Sequence, residues 1–269
     1  MGGSILSGIP YSWQEGLVIL TSMFSLLVLI LVLSIIKKIG IGKEFALAIL
    51  KGGTQLVLIA LFLTFLFNYE LWYVLIWLLL ITMVVIGGYT SAKRATGMPN
   101  ASKITTPSIL AGATVALSVL AISRSMPLQP QFIVPLSGMA FGNAMSICSI
   151  SMERLVREVK LNRAAIETML SLGATSKQSL ESFKRFSIRA ALIPTIDSLK
   201  TLGIIFIPGA MAGLLIAGTD PILAAQYQII VYLMIVGGGI ITALMASTLA
   251  RKKLFTDREQ LEEWIMQIE

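Results

Sequence analysis

The chain has 269 residues, of which 56% are hydrophobic and only 13% are charged, and its formal net charge is +7. This composition excludes an ordinary soluble globular protein and predicts an integral membrane protein. The chain contains no histidine and one cysteine, which excludes an intrachain disulfide, histidine-based catalysis and histidine metal ligands.

Seven apolar segments are long enough to span the hydrocarbon core of a bilayer, which takes about 20 helical residues. We place these segments at residues 17–36, 45–67, 71–88, 104–123, 132–152, 193–217 and 222–249. The sequence therefore predicts an all-α protein with seven transmembrane helices, organised as a single permease domain over residues 1–269.

The lysine and arginine residues lie almost entirely on one side of this arrangement. They occupy the loops after the first, third and fifth segments and the tail after the seventh, whereas the other loops contain Arg124 as their one cation. Because loops rich in Lys and Arg stay in the cytoplasm, we expect an external N-terminus and a cytoplasmic C-terminus in the plasma (inner) membrane. The positive charge then indicates contact with anionic lipid and does not indicate binding to nucleic acid.

The fifth segment contains small and polar residues within apolar sequence. Asn143 directly follows Gly142, which lies four residues after Gly138. Small residues at this spacing let helices approach closely, and an amide inside a bilayer requires a hydrogen-bonding partner. Asn143 is predicted either to bond a neighbouring helix or to line a transport path, and the two glycines either to pack against a helix or to line that path.

Residues 153–194 form a charged, amphipathic block between the fifth and sixth segments. The first part, residues 152–172, has apolar residues three and four apart, as on one face of a helix. Gly173 then suits a left-handed helix end, and Thr175 with Gln178 fits a capping box that begins a second helix. The block is predicted to be a cytoplasmic helix, turn and helix that either rests on the inner leaflet or docks to a partner.

The sixth segment contains helix-breaking and charged residues. Pro208 and Gly209 lie deep in it, where a proline removes a backbone hydrogen bond and frees a carbonyl to face a cavity, and Gly209 and Gly213 are again four apart. Asp197 and Lys200 share a helix face near the predicted cytoplasmic start of the segment. They are expected either to neutralise each other or to form a gate that attracts a cation.

Further residues extend this set of path and tail candidates. Gln55 in the second segment and Glu153 at the inner end of the fifth are further candidates for the path. Residues 256–268 are predicted to form an amphipathic C-terminal helix, with a capping box from Thr256 and Glu259. Because the polar face of this helix is acidic, we expect it to pack on protein rather than on anionic lipid.

Several ordered motifs resemble one family of membrane proteins. They are IGGYTS at residues 86–91, PLSGMAFGNAM at 135–145, LGAT at 172–175, ALIPTID at 191–197 and PGAMAG at 208–213. In these motifs the chain resembles the FetB-type permease family, which includes bacterial permeases assigned to iron export and plant membrane proteins linked to aluminium tolerance. The block around Gly173 is also similar to the cytoplasmic coupling segment of ABC-transporter permeases.

The resemblance implies a homodimeric ABC permease without enzymatic activity or a cofactor of its own. The chain has no GxxxxGK[ST] phosphate loop, so ATP and Mg are expected on a separate ATP-binding subunit. The residues that the resemblance places at the docking site for that subunit are Glu167, Gly173, Ala174, Thr175 and Arg185.

The substrate is predicted to be a metal ion, with iron as the first candidate, moved by export. Sulfur atoms of Met139, Met145, Cys148 and Met211 suit a soft metal, although methionine also fills irregular apolar gaps. The alternatives are a non-conducting membrane anchor or assembly subunit, or an ABC permease for a small organic or sugar-nucleotide substrate. A secondary transporter is disfavoured because the segments contain almost no carboxylates.

Overall fold

The computed structural model describes residues 13–38, 42–125 and 127–265 of the chain. Within these residues the chain forms nine α-helices and no β-sheet, which confirms the predicted all-α class. The helices are α1 (Trp13–Ile36), α2 (Gly42–Asn68), α3 (Trp72–Ala92), α4 (Ser102–Ile122), α5 (Pro130–Leu161), α6 (Arg163–Ser171), α7 (Ser176–Lys200), α8 (Gly209–Ile216) and α9 (Pro221–Leu254). They divide into two compact units, one up to Trp72 and the other from Tyr73 onward.

Five of the described helices are long and apolar enough to cross a bilayer. They are Glu44–Asn68, Trp72–Ala92, Ser102–Ile122, Pro130–Leu161 and Pro221–Leu254. These helices coincide with the second, third, fourth, fifth and seventh predicted segments. In the first predicted segment, α1 spans Trp13–Ile36 and includes the apolar stretch Phe24–Ile36.

The sixth predicted segment, residues 193–217, is not one helix. Helix α7 ends at Lys200, and the backbone turns before α8 begins at Gly209. In this break Gly203 has a φ of +80°, and the carbonyl of Thr201 accepts three backbone N–H groups that follow it. Hydropathy could not reveal the break, because most of the turning residues are themselves apolar.

The first half of the charged block also differs from the prediction. Instead of one helix over residues 152–172, α5 continues from the predicted fifth segment to Leu161, and α6 begins at Arg163. At the other end of the block, α7 passes through Pro194 without ending there.

Helix α9 packs against four other helices of the second unit, which are α4, α5, α7 and α8. Its buried residues include many small ones, namely Gly238, Gly239, Thr242, Ala243, Ala246, Ser247 and Ala250. Gly112 of α4 lies so near to α9 that a Cβ atom on it would overlap Thr242 Oγ1 and the Gly238 carbonyl oxygen. Such close packing is a principal attraction between helices in lipid, where the hydrophobic effect does not drive them together.

The predicted glycine pairs do not make these close approaches. A Cβ atom on Gly138, Gly142, Gly209 or Gly213 would meet no atom of the described chain within 4 Å. The interpretation of both pairs as helix-packing motifs is therefore wrong within this chain. Sequence spacing identifies small residues but not which helices become neighbours.

Helix α7 runs antiparallel to α5 and α9. Ala191 in the middle of α7 is buried against Ile147 of α5 and Ala243 of α9. Nearer the start of α7, Lys184 Nζ donates a hydrogen bond to Thr248 Oγ1 over 3.3 Å. These contacts fix which residues of the three helices lie at the same level, and the helical rise of about 1.5 Å per residue gives the level of the others.

The predicted C-terminal helix over residues 256–268 is not formed in the part that is described. After α9 ends at Leu254, residues 255–265, which we call the C-terminal strap, contain an antiparallel bridge between Phe255 and Leu261. A single 3₁₀ turn follows at Glu263–Ile265. The strap packs on protein as expected, since Leu261 and Ile265 are buried; residues 266–268 lie outside the described chain.

The contact between α4 and α9 predicts that Gly112→Ala destabilises the protein. The added methyl group must displace the backbone of α9, which we expect to cost about 1–3 kcal/mol. Thermal unfolding of the detergent-solubilised chain measures this loss. Gly138→Ala is the matched control, because its methyl group enters open space; equal destabilisation by both variants would contradict the packing described here.

Candidate functional site

Helix α6 ends at Ser171 and is followed by a Schellman motif at Gly173. Gly173 has a φ of +92°, where a side chain would strain the backbone. Its N–H donates to the Leu170 carbonyl and the N–H of Ala174 donates to the Met169 carbonyl, each over 3.0 Å. A Cβ atom on Gly173 would meet no described atom within 4 Å, so the turn projects into open space.

Thr175 begins α7 with the predicted capping box. The N–H of Gln178 donates to Thr175 Oγ1 over 3.3 Å, and the N–H of Thr175 donates to Gln178 Oε1 over 2.9 Å. Both halves of the box are present. The turn from Gly173 to Thr175 is thus fixed at each end by local hydrogen bonds.

Ser176, the first residue of α7, is bonded to the end of α9 and to the strap. Its N–H donates to the Glu259 carboxylate, and its hydroxyl accepts a hydrogen bond from Arg251 Nη1 over 2.9 Å. The hydrogen bonds from Ser176 hold the pKa of the Glu259 carboxyl below its usual range, and the Arg251 charge adds to this effect. Glu259 is therefore ionised at neutral pH beside the positive end of the α7 dipole.

A groove of about 750 Å³ lies between α6 and the strap, beside the turn. Glu167 and Ala174 line one side, and Arg258, Glu259 and Glu263 of the strap contribute to the other. Charged side chains of both signs therefore surround the turn. No pattern within residues 163–175 could have indicated the part played by the strap.

The structure gathers four of the five predicted docking residues. Glu167, Gly173, Ala174 and Thr175 lie at the turn, and Glu167 Oε1 accepts a hydrogen bond from Arg163 Nε over 2.7 Å. Arg185 lies more than two helical turns into α7 and forms a solvent-exposed ion pair with Glu181 at 2.9 Å.

Asp197 and Lys200 form an ion pair beside the break between α7 and α8. Lys200 Nζ donates to Asp197 Oδ1 over 3.1 Å, and both side chains are more than half exposed. Asp197 lies six residues, or about 9 Å, beyond Ala191. Since Ala191 packs against Ile147, Asp197 is level with about the middle of the apolar part of α5. The placement of the pair near the cytoplasmic start of the sixth segment stays a prediction.

Asn143 makes the predicted hydrogen bond to a neighbouring helix. Its Nδ2 donates a hydrogen bond to the Ile235 carbonyl of α9 over 3.2 Å, and the side chain is half-buried. The amide therefore connects α5 with α9 where both helices are apolar.

Pro208 is the N-cap of α8 and does not interrupt a helix, contrary to the prediction. The first turn of α8 is attached to α9 through Gln228, whose Oε1 accepts a hydrogen bond from the N–H of Met211 over 3.2 Å. Gln228 is only 3% exposed. It was not among the predicted site residues, although an amide within an apolar segment was an available signal.

The remaining path candidates are Gln55 and Glu153. Gln55 is exposed on α2 in the first unit. Glu153 is exposed on α5, immediately after the fully buried Met152.

The predicted sulfur residues lie on two helices, α5 and α8. Met139 and Met145 are partly buried against the core, Cys148 is fully buried, and Met211 lies on another helix, α8. In the described ranges, no three side chains of His, Cys, Asp or Glu come together. Packing accounts for the positions of Met139 and Met145.

The five apolar helices and the ordered motifs define a multi-pass, all-α membrane protein. The chain belongs to the family described as "Uncharacterised protein family (UPF0014)", which matches residues 17–255. This membership confirms the resemblance to the FetB-type permeases, one of which is among the relatives below.

Three relatives cover nearly the full length. The chain is 34% identical to the UPF0014 membrane protein STAR2 of Oryza sativa subsp. japonica, over 95% of this chain and 90% of that protein. It is 32% identical to the protein ALUMINUM SENSITIVE 3 of Arabidopsis thaliana, over 94% and 93% of the two chains. It is also 32% identical to the "Probable iron export permease protein FetB" of Escherichia coli K12, over 88% and 91%. No solved structure matches the chain.

The capping box predicts that Thr175→Ala loosens the start of α7. Loss of an N-cap costs about 1 kcal/mol, which corresponds to about fivefold faster exchange of the backbone amides at Gln178 and Ser179 if they exchange by local opening. Hydrogen exchange with mass spectrometry measures this change. Thr168→Ala is the control, because the Thr168 hydroxyl bonds only the preceding turn of its own helix; equal effects would show that the cap is not important.

Proposed function

We propose that the chain is the membrane-spanning permease subunit of an ABC transporter that exports a metal ion, with iron as the first candidate. ATP is hydrolysed by a separate subunit, which also binds Mg. The observation that carries this proposal is the projecting, doubly capped turn at Gly173 between helices that lead into the membrane. The similarity to FetB supports both the permease role and the choice of iron.

The proposed topology has seven crossings. Six crossings are α1 and the five apolar helices. The other crossing is formed by α7 and α8 together, is broken between them, and lies between α5 and α9 in chain order. Helices α5 and α9 have 32 and 34 residues, so each is about 50 Å long and exceeds a hydrocarbon core of about 30 Å. The positive residues support an external N-terminus, with the turn and the strap in the cytoplasm of the inner membrane.

The α6–α7 turn is the proposed docking site for the ATP-binding subunit. Glu167, Gly173, Ala174 and Thr175 would contact that subunit, and Arg185 lies on the flank of the same hairpin. Because the turn is connected to α5 through α6 and directly to α7, a displacement of the turn reaches two membrane helices. In the complete transporter two copies of this chain pair with two ATP-binding subunits, as the ABC resemblance implies.

The proposed transport path passes the break between α7 and α8. Irregular backbone is tolerated at membrane depth where it is buried in protein or lines a water-filled cavity. Asp197 and Lys200 lie beside this break, with Pro208 and Gly209 at the start of α8. A carboxylate at this depth would attract a cation, and the sulfur atoms of the α5 methionines would be secondary ligands.

A non-conducting membrane anchor is the second candidate function. It is favoured by the local pairing of the polar groups, since Asp197 is paired with Lys200 and Asn143 with the Ile235 carbonyl. ATP-dependent metal uptake into inside-out vesicles containing the chain and its ATP-binding subunit would support the transporter. Complex formation without metal movement, across a panel of metals, would support the anchor.

Docking at the turn predicts that Gly173→Val weakens binding of the ATP-binding subunit by at least about tenfold. A β-branched residue at this φ is strained by about 1–2 kcal/mol and changes the shape of the turn. Gly218→Val is the matched control, because Gly218 has a φ of +83° at the far end of α8 and so imposes similar strain. Titration of the subunit onto each variant in nanodiscs measures the affinity; equal binding by both variants would overturn the docking assignment.

The path predicts that Asp197→Asn lowers metal transport by at least about tenfold while assembly with the ATP-binding subunit is unchanged. Removal of the carboxylate leaves Lys200 as an unpaired positive charge that repels a cation. Glu181→Gln breaks the comparable exposed ion pair with Arg185 on the same helix and should leave transport near the wild-type rate. Parallel loss of assembly and transport in Asp197→Asn would indicate a structural role instead.

A further inference from the structure

The C-terminal strap is connected to several elements near the α6–α7 turn. Trp264 Nε1 donates to the Lys253 carbonyl over 2.9 Å, and Lys160 Nζ of α5 lies 5.9 Å from the centre of the Trp264 ring. Gly97, in the loop between α3 and α4, lies against the same ring, because a Cβ atom on it would be 3.5 Å from the indole. The body of the strap is therefore attached to α5, to α9 and to this loop.

Glu259, at the tip of the strap, supplies a hydrogen-bond acceptor that α7 cannot provide for itself. The first N–H groups of a helix have no partner inside it. Thr175 accepts the N–H of Gln178, and the Glu259 carboxylate accepts the N–H of Ser176. The negative charge also lies at the positive end of a helix of 25 residues.

Arg251 connects the same serine to α9. It lies in the last turn of α9, and its Nη1 bonds the hydroxyl of Ser176. Ser176 is 2% exposed, whereas the Glu259 carboxylate that accepts its N–H is exposed to solvent. The start of α7 is thus attached to the end of α9 by contacts that involve neither α6 nor the turn itself.

We propose that Glu259 is a positioning residue for the docking turn, acting through the N–H of Ser176. The Schellman motif and the capping box fix the internal shape of the turn, whereas the Glu259 bond fixes its place relative to α9. The strap then carries a displacement of the turn to α9, in addition to the displacement that reaches α5 and α7. This inference rests on the proposed docking of an ATP-binding subunit.

A role of Glu259 in positioning predicts that its removal affects the transport rate more than the affinity for the ATP-binding subunit. In Glu259→Ala the turn keeps its shape, so affinity for the ATP-binding subunit should stay within about twofold of wild type. The transport rate at saturating subunit should fall by at least about fivefold, because the strap no longer carries movement of the turn to α9. Glu259→Gln retains a carbonyl acceptor for the Ser176 N–H and should recover most of the lost rate.

A double-mutant cycle tests whether Glu259 acts through Ser176. Ser176→Pro removes the N–H donor at the first helical position, where proline is well tolerated. It also removes the hydroxyl that accepts from Arg251, so Ser176→Ala, which keeps the N–H, is its reference. The preceding Thr175 already has the extended conformation that a following proline requires, with a ψ of 160°. If the N–H bond is the cause, Ser176→Pro loses about as much rate relative to Ser176→Ala as Glu259→Ala loses relative to wild type. Adding Glu259→Ala to Ser176→Pro then causes no further loss.

The experiment uses the full chain with its ATP-binding subunit in nanodiscs and vesicles, and Asp257→Ala is the control. Asp257 is an exposed carboxylate on the same strap, without a described bond to α7. Hydrogen exchange over residues 255–262 should rise in Glu259→Ala and Ser176→Pro but not in Asp257→Ala. Equal behaviour of Glu259→Ala and Asp257→Ala, or additive losses in the double variant, would overturn the inference. Failure of docking itself is recognised separately, because it would appear as unchanged binding in Gly173→Val.

Discussion

Close packing of α9 against its neighbours is the constraint on which the second unit depends. Lipid gives apolar helices little reason to associate, so contact between backbones must provide much of the attraction. The small residues on α9 allow α4, α5 and α7 to approach it, and Gly112 of α4 marks where a single added methyl group would intrude. Helix α9 is therefore the helix against which its neighbours are positioned.

Both candidate functional regions are attached to this helix. Gln228 holds the first turn of α8 near one end of α9, and Arg251 holds the start of α7 near the other. These two residues are about 35 Å apart at 1.5 Å per residue, which is comparable with the thickness of a hydrocarbon core. The proposed docking turn and the proposed path are therefore connected by one continuous helix as well as by the chain that leads from α5 to α8.

Local interactions were predicted from the sequence more successfully than distant ones. The helix end at Gly173 and the cap at Thr175 depend on hydrogen bonds within a few residues, and both are present as predicted. The pairs Gly138 and Gly142, and Gly209 and Gly213, do not pack against another helix within the chain, because their role depends on which helix becomes the neighbour.

Two other errors have a related origin. The break after Lys200 was hidden because its residues are apolar, so hydropathy continues through it. The tail was expected to be helical because Thr256 and Glu259 fit a capping box, but Glu259 instead accepts from the distant Ser176. In both cases a tertiary contact or an irregular backbone prevailed over a local pattern.

The central claim is that the α6–α7 turn receives an ATP-binding subunit, and site-specific photocross-linking in the membrane tests it most directly. A photoreactive amino acid at position 174 of the full chain, co-expressed with the ATP-binding subunit, should give a covalent adduct with that subunit. The same amino acid at position 219, beyond the far end of α8, should give none. Adducts with lipid alone at position 174, or equal adducts with the subunit from both positions, would contradict the account.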